Sequence, residues 1–266
     1  MLQQRAPAVA GTFYPRETAA LAGAIDRYLS DCEPGAEAPK ALIVPHAGYI
    51  YSGPVAARAY ARLAPARDRI HRVVLIGPSH YVEFRGLAVP ATETFLTPLG
   101  PVPLDLYAIE RLRALPQVAV NDAAHAREHS LEVQLPFLQR VLGNFVLIPL
   151  VTGQVPPEAV AEVLTLLWGG PETLIVVSSD LSHYLDYESA RARDSDTADS
   201  ILGLRPEEIG PDRACGRHGI GGLLSYARHH GLKIRKLDLR NSGDTAGPRD
   251  AVVGYGAFAI WQPALN

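Results

Sequence analysis

Short runs of aliphatic and β-branched residues recur along the first two-thirds of the chain, separated by amphipathic stretches. The runs are Ala41–Val44, Val73–Ile76, Phe145–Ile148 and Leu174–Val177. Unbroken apolar runs of this length suit strands buried on both faces of a sheet. Between and around them, apolar residues recur at helical spacing over Thr18–Leu29, Val55–Leu63, Leu104–Leu112, Leu131–Val141, Glu158–Leu167, Tyr187–Leu202 and Ile220–His229. Two late strands are expected at Ile234–Leu239 and Val252–Ile260. Strands alternating with helices predict an α/β fold with three layers, αβα, around a mainly parallel central sheet. The segment Gly86–Pro103, rich in Pro, Thr and Gly, breaks that rhythm and reads as a β-hairpin insertion. No long polar linker divides the chain, so residues 1–266 are expected to form a single domain.

Composition narrows the functional classes. Hydrophobic residues make up 47% and charged residues 20% of 266 residues, which fits a globular chain and excludes a disordered one. The net charge is −3 with both signs interspersed; no Lys/Arg run marks a nucleic-acid or membrane surface. Cys32 and Cys215 are the only two cysteines, too few for a disulfide framework, and they point to a reducing compartment. No stretch reaches the roughly 18 apolar residues of a membrane span, and the N-terminus lacks a signal-type apolar core. The expectation is a cytoplasmic protein.

Candidate chemistry sits where strands end. In open α/β sheets ligands bind outside the carboxyl ends of the strands. The Ala41 run ends in Pro45-His46-Ala47-Gly48-Tyr49, the Val73 run in Gly77-Pro78-Ser79-His80 and the Leu174 run in Ser178-Ser179-Asp180-Leu181-Ser182-His183. Three strands therefore deliver His46, His80 and His183 to one rim, and neutral imidazole is the commonest metal ligand and an acid or base near neutral pH. A single such histidine would read as a surface or capping residue; three at equivalent positions read as a shared site. Asp180, in the same loop as His183, is expected to orient that imidazole. Glu128 and His129 stand before an apolar helical pattern, where pocket residues and ordinary helix caps are equally good readings. His125 is expected at the surface, with His71, His229 and His230. Cys215 lies among glycines and arginines (Arg213, Arg217) before a helix, a setting that favours thiolate, although a buried inert thiol stays open. Cys32 receives no role. There is no G-x-S-x-G elbow, P-loop, H-E-x-x-H or C-x-x-C motif.

These segments, together with Arg5–Pro15, Thr97–Gly100 and Glu128–Glu132, resemble the Memo family, named for a mediator of ErbB-driven cell motility; its prokaryotic members are called AmmeMemoRadiSam system protein B. The resemblance covers nearly the whole chain. It implies a fold similar to class III extradiol dioxygenases, with His46, His80 and Cys215 as metal ligands. It further implies Asp180 and His183 as pocket residues beside the metal, His183 resembling the acid/base histidine of those enzymes. Glu128, His129 and Tyr49 are placed in the same pocket. The dioxygenases use a glutamate where a cysteine stands here, a departure that weighs against ring cleavage. Two imidazoles and one thiolate suit copper, and also zinc with an open position; iron(II) normally takes a carboxylate. Copper or iron is expected first because the family is regarded as redox-active. Two functions follow. One is a metal-dependent oxidoreductase acting on an unknown substrate. The other is a binding module that uses the pocket, aided by Arg217, for a phosphotyrosine-type peptide or another anion. No nucleic-acid or membrane partner is expected, and a homo-oligomer is left open.

Overall fold

The structure, a computed structural model, describes residues 3–262. Residues 1–2 and 263–266, the ends of the span expected to form one domain, lie outside it. Among the described residues, strands β1 (Gln4–Arg5), β2 (Ala41–Val44), β3 (Arg72–Pro78), β4 (Leu87–Val89), β5 (Thr94–Thr97), β6 (Gly100–Pro103), β7 (Val118–Val120), β8 (Val146–Thr152), β9 (Thr173–Ser178), β10 (His183–Leu185), β11 (Lys233–Asn241) and β12 (Val252–Trp261) form two sheets. The larger runs in the order β10-β12-β2-β9-β3-β8-β4-β7, with β11 on the outer side of β12. The smaller one is β1-β5-β6.

The four central strands, β2, β9, β3 and β8, are mutually parallel and are the four apolar runs picked out by pattern. β2 and β9 are buried at every position, as the unbroken runs require. The joins on either side are antiparallel: β12 to β2, and β4 to β8. Of the segment expected as a hairpin insertion, Gly86–Pro103, only β5–β6 is a hairpin, pairing antiparallel and forming the small sheet with β1; its first part is β4, a strand of the larger sheet between β8 and β7.

Helices α1 (Thr18–Ser30), α2 (Tyr49–Tyr60), α3 (Leu106–Leu112), α4 (Asp122–Ala126), α5 (His129–Glu132), α6 (Leu135–Leu142), α7 (Pro157–Leu167), α8 (Tyr187–Leu202) and α9 (Arg217–His229) complete the fold. Consecutive residues of β3 show the two faces. A Cβ on Gly77 would meet Ser130 and Leu131 of α5, whereas Ile76 packs against Gly219 of α9. One layer contains α1, α2, α5 and α6, the other α7, α8 and α9. The molecule is thus a three-layer αβα fold, parallel at its centre.

Two helices differ instructively from the pattern. α2 begins at Tyr49 rather than Val55, because one proline (Pro54) removes only its own N–H from the ladder. The single helix expected over Leu131–Val141 is two, α5 and α6, separated at Val133–Gln134 with Pro136 in the first turn of α6. That break leaves the Gln134 side chain free for a partner other than helical solvent. The short strands β1, β4, β7 and β10 carried no usable pattern, being two or three residues long.

Candidate metal centre

The register of the parallel strands sets the site. Val44 at the end of β2 pairs with Ser178 at the end of β9, and Ile76 of β3 pairs with Val177. His46 and Asp180 each follow two residues after those ends, and His80 follows two residues after Pro78. Three loops therefore leave one rim at one level. β12 continues past the point where β2 stops, and there β10 takes the neighbouring place, pairing His183 with Val253. The register of β10 shifts between His183 and Leu185, and Tyr184 between them has a left-handed backbone with φ of 59°. Such a bulge re-aims the adjoining side chain.

His46, His80 and Cys215 each present a donor atom, and the three atoms lie within 4.8 Å of one another. His46 Nε2 is 3.4 Å from Cys215 Sγ. A tetrahedral ion at about 2.0–2.1 Å from nitrogen and about 2.3 Å from sulfur sets that edge near 3.6 Å. That edge is close to what a tetrahedral ion requires and the two edges to His80 lie within 4.8 Å, so the donor set fits one transition-metal ion. The His80 ring is turned by Glu128: its Nδ1 lies 2.8 Å from Oε1, and its backbone N–H donates to Oε2 at 2.7 Å. A carboxylate accepts only, so Nδ1 carries the proton and Nε2 keeps the lone pair.

Burial and neighbours tune these groups. Burial pushes the His46 imidazole well below the usual histidine range, and His80 beside it adds to the effect. Both act to keep it neutral, the ligand form. Burial alone would raise the Glu128 carboxyl. The hydrogen bond from His80 and the charge of that ring when protonated, with the N–H groups of His80 and Ser130, outweigh it and hold the carboxyl at about 2. Cys215 departs from expectation. Burial, and then the Asp180 carboxylate, push its thiol up to about 12, so flanking arginines do not make it a thiolate in the metal-free protein. The sulfur instead accepts from the Asp180 N–H at 3.3 Å.

The remaining expected residues divide. Asp180 is buried, and its Oδ1 accepts the His46 N–H at 2.7 Å, while its carbonyl accepts from the Cys215 N–H at 3.3 Å. It clamps two ligand loops together; among the described residues it makes no hydrogen bond to His183. Burial raises its own carboxyl, opposed first by that His46 bond. His183 is exposed and, with His80, Cys215, Leu185, Arg193, Pro211 and Asp212, lines a cavity of about 370 Å³. His129 stacks on His80 with ring centroids 4.5 Å apart, and its Nδ1 is buried with no hydrogen-bond partner among the described residues. Burial, then His46 and His80, lower it to about 4.

Tyr49 is not brought to the cavity. It is buried in the core, its hydroxyl donating to the Val133 carbonyl and its ring packed on Tyr14 and Phe137. As the first residue of α2, Tyr49 is turned toward the N-terminal segment and the α5–α6 break rather than toward the rim. His125, expected at the surface, is 3% exposed: α4 packs on β4, and the ring nitrogen Nε2 meets the Ala88 carbonyl at 3.0 Å. Arg217 lies outside the metal-side cavity. It lines a neighbouring one of about 770 Å³ with Arg85 and His218. His71, His229 and His230 are exposed, as expected.

Sequence reasoning assigned no role to Arg5 or Glu132. Glu132 accepts from Arg5 Nη1 (2.8 Å), the Ala8 and Val9 N–H groups (2.7 and 2.9 Å) and the Tyr14 hydroxyl (2.6 Å). Arg5 also donates to the carbonyls of His125 and Glu128 at 2.6 Å each. The N-terminal segment thereby holds α5, whose first turn supplies Glu128 and His129. An ionisable residue between two apolar ones (Leu131, Glu132, Val133) was the available signal.

Comparison with known proteins shows the family. A family model described as Memo-like protein matches residues 5–259. A MEMO1 family protein of Methanosarcina mazei is 36% identical over 276 residues, covering 97% of this chain and 100% of the relative. One from Aquifex aeolicus is 36% identical over 266 residues, covering 96% and 98%. Among solved structures, the uncharacterized protein JW3007 of Escherichia coli K12 superposes with a TM-score of 0.55 at 14% identity, over 82% of this chain and 98% of that one, a likeness of fold alone. With a full-length family match and relatives at this identity, the chain belongs to the Memo-like family.

Proposed function

We propose that this protein is a mononuclear metalloprotein whose His46, His80 and Cys215 hold one transition-metal ion, copper or iron first and zinc on ligand chemistry alone, for oxidoreductase chemistry of the dioxygenase type. The supporting observation is the 3.4 Å approach of His46 Nε2 to Cys215 Sγ at the carboxyl rim of a parallel sheet. When bound, a metal with three protein ligands supplies Lewis acidity and an open coordination position. The chain's own residues do the rest. Glu128 fixes the His80 ring, and Asp180 holds the His46 and Cys215 loops together. His183, on the cavity wall, is placed to hold or move a proton at a bound substrate.

The test is anaerobic loading with Cu(I), Fe(II) or Zn(II), metal analysis of the desalted protein, and O₂ uptake with catechol-type reductants, for wild type and His80→Ala. Stoichiometric metal lost in the variant supports the reading. Wild-type protein that retains none of the three ions sinks it.

A second reading, anion binding, draws on a different observation. Arg85 and Arg217 line the neighbouring cavity with His218 and, among the described residues, no acidic one. Guanidinium groups so placed suit phosphate or carboxylate. Titration with phosphotyrosine peptide, phosphoserine peptide and inorganic phosphate, before and after chelation, separates this reading: retained affinity without metal favours it, and loss with metal removal counts against it.

A further inference from the structure

Behind His46 lies a buried chain of polar groups to which the metal reading assigns no part, and its protons can be counted. Gln134 is buried in the break between α5 and α6. One end of its amide lies 2.8 Å from the Pro45 carbonyl, which can only accept, so that end is the NH₂. Its oxygen accordingly accepts the Tyr60 hydroxyl at 2.8 Å. The second amide proton goes to Ser178 Oγ at 2.8 Å. Ser178 has a single proton, and it goes to the Ser130 carbonyl at 2.6 Å, another group that can only accept. Ser178 Oγ then has only a lone pair to offer its last neighbour, His46 Nδ1, at 2.8 Å.

We propose that Ser178, with its proton committed to Ser130 and held in place by Gln134, is a positioning residue that fixes His46 as the Nδ1–H tautomer and leaves Nε2 free to coordinate. Two backbone carbonyls, Pro45 and Ser130, thus determine the tautomer of a side chain neither of them touches. Ser130 serves both imidazoles: its N–H donates to Glu128 Oε1 at 2.9 Å, the oxygen that faces the His80 ring, and its carbonyl takes the Ser178 proton. One residue in the first turn of α5 therefore ties the orientation of His80 to that of His46. Every member of the chain (Tyr60, Gln134, Ser178, Ser130) is buried, so water cannot substitute at ordinary cost.

This inference rests on the metal-site reading for its purpose but not for its test. In metal-free protein carrying ¹⁵N-histidine, long-range ¹H–¹⁵N correlation at neutral pH reports which ring nitrogen of His46 is protonated. The expected result is Nδ1–H in wild type and in Ser178→Thr, which keeps the hydroxyl, and a shift toward Nε2–H in Ser178→Ala. A Zn(II) titration should show affinity reduced about 10–100-fold in Ser178→Ala and largely restored in Ser178→Thr. Nε2–H in wild type overturns the inference even if Ser178→Ala fails to fold. Unchanged tautomer and affinity in a folded Ser178→Ala overturn it as well. If no metal binds to wild type, the nitrogen assignment still decides the tautomer, while the metal reading fails separately.

Discussion

Truncating Glu132 to alanine tests whether the N-terminal segment and α5 are one structural unit. Glu132 is fully buried and Arg5 nearly so, with side-chain exposures of 0% and 6%. Removing the carboxylate takes the acceptor from four donors: Arg5 Nη1, two backbone N–H groups and the Tyr14 hydroxyl. Breaking a buried ion pair from one side costs about 3–5 kcal/mol. Each further buried orphan adds about 1–3 kcal/mol before relaxation and water entry reduce the sum. A loss of at least about 4 kcal/mol is expected, much of the roughly 5–15 kcal/mol available to a folded domain. Arg5→Met should cost less. It breaks the same ion pair, but the Glu132 carboxylate left without its counter-ion keeps three donors, and the two freed carbonyls tolerate under-satisfaction better than N–H groups do. With a urea slope of about 3 kcal/mol/M, Glu132→Ala should lower the unfolding midpoint by more than about 1 M. Circular dichroism and tryptophan fluorescence during urea titration supply the measurement. A midpoint within about 0.3 M of wild type, or a larger loss for Arg5→Met than for Glu132→Ala, refutes the reasoning.

Three other outcomes follow from the site. Because burial raises the Cys215 thiol to about 12, a metal that binds there at neutral pH must displace a proton. Apparent affinity should rise about tenfold per pH unit from neutrality upward, and calorimetry in buffers of different ionisation enthalpy should count one proton released; no release argues against sulfur ligation. Glu128→Gln should leave the fold intact and lower metal affinity about 10–100-fold, since the amide can present its NH₂ to the His80 ring; equal affinity in a direct titration removes the orienting role. Burial lowers His125 to about 4, so the folded state binds fewer protons than the unfolded chain, whose histidine titrates near 6.5. Its stabilising share is complete above the unfolded value and is lost as pH falls toward 4. Between pH 7 and 5 wild type should lose about 2 kcal/mol more than His125→Gln, measured by urea unfolding at both pH values; equal losses contradict a buried neutral His125.

The four central strands, the hairpin and the positions of His46, His80 and Asp180 were legible in sequence for one reason. Alternation and apolar runs mark buried strands, and the polar residues immediately after them must lie at the strand ends. The pattern also identified Cys215 as a candidate but misjudged its state, because local arginines say nothing about how deeply a sulfur is buried. His125 and Tyr49 were misplaced for the same kind of reason: which face of a short helix is covered depends on what packs there. The groups that orient the site, Gln134, Ser178, Arg5 and Glu132, left at most a faint local mark. Their partners lie tens to more than a hundred residues away, and a hydrogen-bond direction is set by which neighbour can only accept. Sequence by itself therefore determined the layers and the rim with its histidines, since those follow from periodicity along one chain, while the choice of His46, His80 and Cys215 as ligands came from the resemblance to a family. Tertiary structure alone decided the burial of the site residues, their hydrogen-bond partners and the tie between the N-terminus and α5, since these depend on contacts between distant segments.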